Sequence, residues 1–340
     1  MKRIFYQFIL LLALLLIGCD QASEESKLRE VLLQGKTMGT TFTVKVFVPE
    51  QQVSKLSLYS DVTDLLKDVN QSLSTYIPDS EINQFNRFPA AQAFTMSEDF
   101  RRVTVESIRL GLSTKTLDVT MGPLIDVWGF GPDNRPETVP SEETIREIQK
   151  RIGVDKLLVQ GNDLSKSVDG LEVSYSATAK GYGIDKIAEY LDSLSLNNYM
   201  VEIGGEIRTS GYKPDNSPWV LAIEQPDAPP GERKVHKIIR VTDMSMATSG
   251  DYRIFYEIGG VHYSHLIHPL TGKPIEQDLV SVTVLHESAM TADGLATAIN
   301  VMGTKEAIQY IESNNLAVYL ISKTENGLET YASKAFQKYL

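Results

Sequence analysis

A stretch late in the chain, from Ser264 to Thr297, constrains the fold more than any other. It opens with a histidine, His265, and a turn that contains Pro and Thr-Gly. Val280–Leu285 then alternates in hydrophobicity, and a period of two predicts a strand with one buried face. The start of a helix follows without a linker. The stretch therefore predicts a turn, a strand and a helix in immediate succession.

The predicted helix start carries two oxygen-bearing side chains, Asp293 and Thr297. Residues four apart lie on one face of a helix, so the carboxylate and the hydroxyl point the same way. Such a pair near a helix N-terminus suits a hard cation that also holds a phosphate. The alternative is that Asp293 only complements the helix dipole and that Thr297 packs. The residues alone leave both interpretations open.

Composition limits the classes of partner. The chain has 340 residues, 42% of them hydrophobic, which fits one large or two ordinary globular domains. Its formal net charge is −11. Because nucleic-acid binding needs clustered Lys and Arg, this charge argues against a nucleic-acid partner. An anionic ligand held by a metal ion and local donors is not excluded.

The N-terminus has the pattern of a bacterial lipoprotein signal. Lys2 and Arg3 precede an apolar run, Ile4–Ile17, that is too short for a comfortable transmembrane helix. The run leads into Leu-Ile-Gly-Cys, which resembles a lipobox with Cys19, the single cysteine of the chain, as the lipidated residue. The alternative is an ordinary secretory signal followed by a stray thiol.

The N-terminal pattern also predicts the domain limits and the location. We expect a signal peptide at residues 1–18, a polar tether at 19–34 and a folded domain at 35–340. Asp20 resembles the retention signal of inner-membrane lipoproteins. The expected location is therefore the bacterial inner (cytoplasmic) membrane, with the protein lipid-anchored and facing the periplasm. A chain otherwise free of cysteine suits that oxidising compartment.

Strand and helix patterns alternate irregularly within residues 35–340. A strand at Thr41–Val48 precedes apolar residues at helical spacing from Leu58 to Leu73. Another strand is predicted at Leu171–Ser176, and a small-residue turn at Met246–Tyr252. Since no regular βα rhythm is present, the pattern favours an α+β fold, with mixed sheets flanked by helices in a single domain.

Several residues have the character of ligand contacts. Thr116–Gly131 contains three Gly, a Pro and two aromatic residues, and loops of that composition often wrap a ligand. Tyr76 is either a core aromatic or a ring that lies against a flat ligand. Met38, considered without its motif, is interpreted as a core residue.

Eight short motifs follow one another along the chain. They are Met38-Gly-Thr, Ser74-Thr-Tyr-x3-Ser-Glu, Asp118-Val-Thr-x-Gly-Pro-Leu, Ala179-Lys-Gly-Tyr-x-x-Asp, Ile203-Gly-Gly, Thr248-Ser-Gly, His265-x-Ile-x-Pro-x-Thr-Gly and Ala292-Asp-x-x-x-Thr. Each motif alone is weak, but their combination and order are specific. From about Gly35 to the C-terminus, the sequence resembles the ApbE family of flavin transferases.

The resemblance implies Mg²⁺-dependent transfer of the FMN half of FAD to a Thr or Ser hydroxyl of an acceptor protein, with release of AMP. The implied acceptors are extracytoplasmic subunits of membrane redox complexes. Two other functions are weighed against this one. The first is hydrolysis of FAD to FMN and AMP, with water in place of the acceptor. The second is a non-catalytic flavin-binding lipoprotein.

The resemblance also assigns site residues. The implied metal ligands are the Ala177 carbonyl, the Asp293 carboxylate and the Thr297 hydroxyl, and His265 takes the position of the catalytic histidine. The positions implied to contact FAD are Met38, Tyr76, Thr116, Leu117, Asp118, Ser174, Lys180 and Ile267. The chain departs from the family where His268 replaces the usual Asp, which makes His268 a rival to His265 as the base.

Overall fold

The computed structural model describes residues 27–132, 138–228, 232, 234–250, 255–258 and 260–340. The predicted signal peptide, Cys19 and the first part of the predicted tether lie outside the described residues. Within the part of the chain that the structure describes, no helix is both long and apolar enough to span a bilayer.

The elements follow one another along the chain in mixed order. The helices are α1 (Glu50–Val53), α2 (Leu58–Leu73), α3 (Glu81–Arg87), α4 (Glu98–Thr114), α5 (Gly122–Val127), α6 (Glu142–Gln149), α7 (Ala179–Ser193) and α8 (Ala289–Ser313). The first strands are β1 (Leu28–Thr37), β2 (Thr40–Pro49), β3 (Phe94–Thr95), β4 (Leu157–Gln160), β5 (Asp163–Lys166), β6 (Tyr199–Ile203), β7 (Glu206–Ser210), β8 (Trp219–Glu224) and β9 (Val235–Val241). The remaining strands are β10 (Ser245–Ser249), β11 (Phe255–Ile258), β12 (Val261–Ser264), β13 (Ile267–His268), β14 (Lys273–Pro274), β15 (Leu279–His286), β16 (Ala317–Thr324) and β17 (Gly327–Ala332).

One antiparallel sheet of eight strands organises the molecule. Its strand order is β1-β2-β6-β7-β10-β15-β16-β17, so strands that are neighbours in the sheet also follow one another in chain order. The other helices and strands lie between neighbouring strands of the sheet, α8 between β15 and β16 and the rest in three insertions. The first insertion runs from residue 50 to residue 198, the second carries β8 and β9, and the third carries β11 to β14.

Both faces of the sheet are buried. On one face, α2 and α7 cover β2 and β6, whose Phe42, Val44, Val46, Val201 and Ile203 are almost fully buried. Helix α8 covers β10, β15 and β16 on the same face. On the other face, Trp219 of the β8–β9 hairpin stacks on Phe47 with ring centroids 5.9 Å apart. Each such fully buried side chain contributes about 1.5–3 kcal/mol.

The predicted α+β class is confirmed, and so are the strand at 41–48 and the helix start that carries Asp293. The predicted tether, however, extends too far. Residues 28–34 already belong to β1, because every one of them pairs with β2 and Leu33 reaches the core.

Two further local predictions are wrong. Leu171–Ser176 is not a strand, because side chains occupy its backbone groups: Asn86 bonds both the N–H and the carbonyl of Val173, and Lys166 bonds the carbonyl of Leu171. Residues 245–249 form the inner strand β10 rather than a turn. Their small side chains include Ala247, which lets α8 lie close to the sheet.

Candidate active site

A cavity of about 480 Å³ lies where the first and third insertions meet α8. This volume is typical of small-molecule and cofactor sites. The walls carry every predicted metal and FAD position except Met38, together with His265. These are Tyr76, Thr116, Leu117, Asp118, Ser174, Ala177, Lys180, His265, Ile267, Asp293 and Thr297.

Helices α7 and α8 begin side by side at one wall of this cavity. The backbone N–H of Gly181, in the first turn of α7, donates to Oδ2 of Asp293 at 3.1 Å. The other carboxylate oxygen, Oδ1, lies 3.7 Å from Nζ of Lys180. Thr297 follows one turn later on α8, and Ala177 immediately precedes the N-cap residue of α7. Both helices therefore contribute predicted metal ligands to the same wall.

The charges at this wall are close together and largely withdrawn from water. Nζ of Lys180 also lies 3.8 Å from Oε1 of Glu206, so one ammonium group stands between two buried carboxylates. Burial raises the pKa of Asp293, while Lys180 and the N–H of Gly181 act in the opposite direction. A divalent cation near Oδ1 would favour the charged carboxylate in the same way as Lys180 does.

The donor set fits Mg²⁺. A carboxylate, a hydroxyl and a backbone carbonyl are all hard oxygen ligands, and Mg²⁺ is usually held by one or two carboxylates with substrate phosphates and water. Among the described residues, no group of three His, Cys, Asp or Glu side chains could hold a metal ion. Asp293, Thr297 and Ala177 would therefore hold the cation with help from the substrate.

A second wall of the cavity is shaped by amide side chains. The Asn83 side chain donates to the carbonyls of Thr75 and Ile77, both at 2.9 Å, and so closes the turn around Tyr76. Tyr76 itself remains 66% exposed at the cavity wall. The tyrosine is therefore not a core aromatic, and its ring is accessible to a flat ligand.

The segment from Thr116 to Gly131 lines the cavity, as its composition predicted. Part of it is helix α5 rather than loop, because Pro123 lies in the first turn, where its missing N–H is not needed. The Thr116 hydroxyl donates to the carbonyl of Ala298 at 2.8 Å, which ties the segment to α8. Burial raises the pKa of Asp118, which accepts two hydrogen bonds from Thr120.

His265 follows β12 directly and faces a cluster of aromatic rings. The Phe130 ring meets the imidazole edge to face, with centroids 6.3 Å apart. Phe130 packs on Tyr256, whose hydroxyl donates to the carbonyl of Trp128 at 2.7 Å. The Trp128 indole N–H donates to the carbonyl of Gly272 at 2.8 Å. These contacts hold the third insertion against α5 and place the imidazole at the cavity.

His268 and Met38 lie elsewhere. Nδ1 of His268 accepts the N–H of Leu270 at 3.2 Å inside the β13–β14 turn, and His268 does not line the cavity. Met38 lies in the β1–β2 turn at φ 48° and packs against the core on both sides of α7. Met38 is therefore half-buried beside the core and does not line the cavity, so its contact with FAD stays a prediction.

Sequence reasoning gave no role to two buried residues that shape these walls. Lys166 is 2% exposed, and its ammonium donates to the carbonyls of Phe85, Asn86 and Leu171. Burial lowers the pKa of this lysine. Asp185 accepts hydrogen bonds from the start of α8. Asp185 belongs to the Ala179 motif, so the motif was a signal for it, whereas Lys166 lies in no motif.

Gly181 lies where α7 and α8 are too close for a side chain. A Cβ at Gly181 would overlap the carbonyl of Ala289 and the Cα of Met290, and both are backbone atoms that can yield only if a helix moves. We therefore expect Gly181→Ala to lower the free energy of unfolding by about 1–3 kcal/mol. Urea titration of the variant checks this. Gly161→Ala is the control, because no atom lies within 4 Å of its Cβ position and only the strain of φ 61° remains.

The same fold occurs in solved flavin transferases. A solved flavin transferase ApbE from Vibrio cholerae is similar with a TM-score of 0.85 and 43% identity, covering 92% of this chain and 100% of that one. The apo flavinyl transferase ApbE of Pseudomonas stutzeri is similar with a TM-score of 0.83 and 36% identity, covering 92% and 97%. The chain belongs to the ApbE family, whose pattern it matches over residues 38–320.

Curated relatives extend the similarity to nearly the whole sequence. The FAD:protein FMN transferase of Vibrio cholerae serotype O1 is 44% identical over 328 residues, which cover 96% of either chain. The FAD:protein FMN transferase of Haemophilus influenzae is 44% identical over 335 residues, covering 96% of this chain and 95% of its own.

Proposed function

We propose that this protein is a FAD:protein FMN transferase that uses Mg²⁺ to move FMN from FAD to a Thr or Ser hydroxyl of an acceptor protein and releases AMP. The observation that carries the proposal is the convergence of His265, Asp293, Thr297 and Ala177 on one cavity with Tyr76 at its wall. A carrier of flavin needs no base and no metal ligands, whereas a transferase needs both.

Each group has a task in the reaction. Asp293, Thr297 and Ala177 would hold Mg²⁺, and Lys180 lies beside them. When bound, the metal offsets the negative charge on the pyrophosphate oxygens. His265 accepts the proton of the acceptor hydroxyl, whose oxygen forms a bond to the FMN-side phosphorus as the bond from that phosphorus to the AMP oxygen breaks. A base is useful here because a hydroxyl is a poor nucleophile at neutral pH.

An assay of AMP released from FAD tests the proposal against its two alternatives. Purified protein is incubated with FAD and Mg²⁺, with and without an acceptor that carries a flavinylation Thr. Transfer gives AMP together with covalent flavin on the acceptor. AMP and FMN without covalent flavin would indicate a pyrophosphatase. Flavin binding without AMP under both conditions would indicate a non-catalytic carrier.

We also propose that the protein is a lipoprotein of the inner membrane, anchored through Cys19 and facing the periplasm. The sequence that resembles a lipobox at Cys19, together with the neighbouring Asp20, supports this location. Its acceptors would then be extracytoplasmic subunits of membrane redox complexes.

Cys19→Ala should release the protein from the membrane. A lipoprotein carries several acyl chains, whereas one chain alone gives only marginal membrane binding, so the contrast between variant and native protein should be large. Membrane fractionation measures it, and metabolic labelling with palmitate tests lipidation directly. Tight membrane association of an unlabelled variant would contradict the anchor at Cys19.

A further inference from the structure

Helices α7 and α8 cap each other at the cavity. Asp293, on α8, accepts the N–H of Gly181 in the first turn of α7. In return, Asp185, on α7, accepts the N–H of Ala289 at 2.9 Å and that of Met290 at 3.0 Å, which are the first two residues of α8. In each helix the capping aspartate lies four residues after the position that contacts the other helix.

The Asp185 carboxylate accepts more hydrogen bonds than the side chain of an ordinary helix cap does. Asp185 is 4% exposed, and four hydrogen-bond donors converge on its two carboxylate oxygens. The Ser288 hydroxyl donates to Oδ2 at 2.7 Å, and the Arg208 guanidinium, on β7, donates to Oδ1 at 2.5 Å. The carboxylate therefore joins α7, α8 and the central sheet at one point.

This point lies next to the predicted metal ligands on both helices. Asp293 is one helical turn after Ala289, so a shift of the first turn of α8 moves its carboxylate. Ala177 and Lys180 stand at the start of α7, the helix that carries Asp185. The distance between the Ala177 carbonyl and the Asp293 carboxylate thus depends on how the two helix starts are joined.

We propose that Asp185 is a positioning residue that sets the affinity of the site for its divalent cation by fixing the start of α8 against α7. The inference rests on the proposed function, because it takes Asp293, Thr297 and Ala177 as the metal ligands. Residues that orient metal ligands without touching the metal typically change affinity by about 10–100-fold when they are replaced. A helix cap with no such role would change stability alone.

The chain offers a matched control for that distinction. Glu81, on α3, accepts the N–H of Ser97 at 2.6 Å and the hydroxyls of Ser97 and Ser72. Ser97 is the N-cap of α4, a helix that carries no predicted metal ligand. Glu81→Gln therefore weakens the same kind of carboxylate-to-helix contact at the start of a helix without predicted metal ligands.

The experiment measures binding of Mn²⁺, by electron paramagnetic resonance, to the purified protein, both without FAD and with FAD present. We expect Asp185→Asn to weaken Mn²⁺ binding about 10–100-fold, because an amide cannot accept from all four donors. Glu81→Gln should lower the melting temperature without changing Mn²⁺ affinity. Native affinity in Asp185→Asn, or an equal loss in Glu81→Gln, would overturn the inference.

Two further variants complete the design. Ser288→Ala removes one hydrogen bond to Asp185 and should cause a smaller loss of Mn²⁺ affinity if Asp185→Asn fails to fold; unchanged affinity would count against the inference. Asp293→Asn distinguishes a wrong assignment of the metal ligands from a wrong role for Asp185. If it binds Mn²⁺ as the native protein does, or if the native protein does not bind Mn²⁺ even when FAD is present, the proposed metal ligands are wrong, whatever Asp185 does.

Discussion

Asp293→Asn should reduce Mg²⁺-dependent cleavage of FAD by about 10²–10³-fold, because the loss of a cation's charge stabilisation is worth several kcal/mol. The asparagine oxygen can still accept the N–H of Gly181, which now donates to Oδ2. The variant should therefore keep its fold, as judged by its circular dichroism spectrum, and lose the charged ligand at Oδ1.

Initial rates measured over a range of Mg²⁺ concentrations check this expectation. Thr297→Val is the matched control, since it replaces a neutral ligand on the same helix face and should cost less activity than the loss of the carboxylate. Near-normal cleavage by Asp293→Asn at low Mg²⁺ would exclude Asp293 as a metal ligand.

His265→Ala should lose flavinylation of an acceptor by about 10²–10⁴-fold, which is the usual cost of removing a general base. The binding of FAD should change little, because the imidazole acts on the acceptor hydroxyl. A flavin fluorescence titration measures binding, and covalent flavin on the acceptor measures transfer. A comparable loss of both would indicate that His265 is a binding residue rather than the base.

His268→Asp is the control for the neighbouring histidine. Nδ1 of His268 accepts the N–H of Leu270 within a tight turn, and an aspartate carboxylate at that position can accept the same bond. Aspartate, which the resemblance gives as the usual residue at this position, should therefore preserve the turn and the activity. If His268→Asp is inactive while His265→Ala still flavinylates, the catalytic role belongs to His268.

Local signals in the sequence were enough to predict the elements that carry most of the site. The alternation of Val280–Leu285 and the helix start at Asp293 are patterns within a few residues, and both appear in the structure. The resemblance to the family then supplied the positions, and nearly all of them line one cavity. Met38 is the predicted position that does not line the cavity; it lies half-buried beside the core.

Partners distant in the chain explain what the sequence could not predict. Leu171–Ser176 alternates like a strand, yet Asn86 and Lys166 bind the backbone groups that a neighbouring strand would need. Lys166 is a charged side chain that the sequence places at the surface, and only the fold supplies the carbonyls that surround it. Asp185 reaches α8 across 104 residues of sequence, so no local pattern reveals that contact.

The chain-order arrangement of the sheet makes the protein suited to chimera design. Because each insertion leaves one strand and returns to a neighbouring strand, its two ends are held near each other by the sheet. The entropic cost of closing such a segment rises only slowly with its length. The third insertion, which carries His265, could thus be exchanged between relatives without changing which strands of the sheet pair with one another. The segment that carries His265 would then come from the donor, while α7, α8 and their predicted metal ligands remain those of the host.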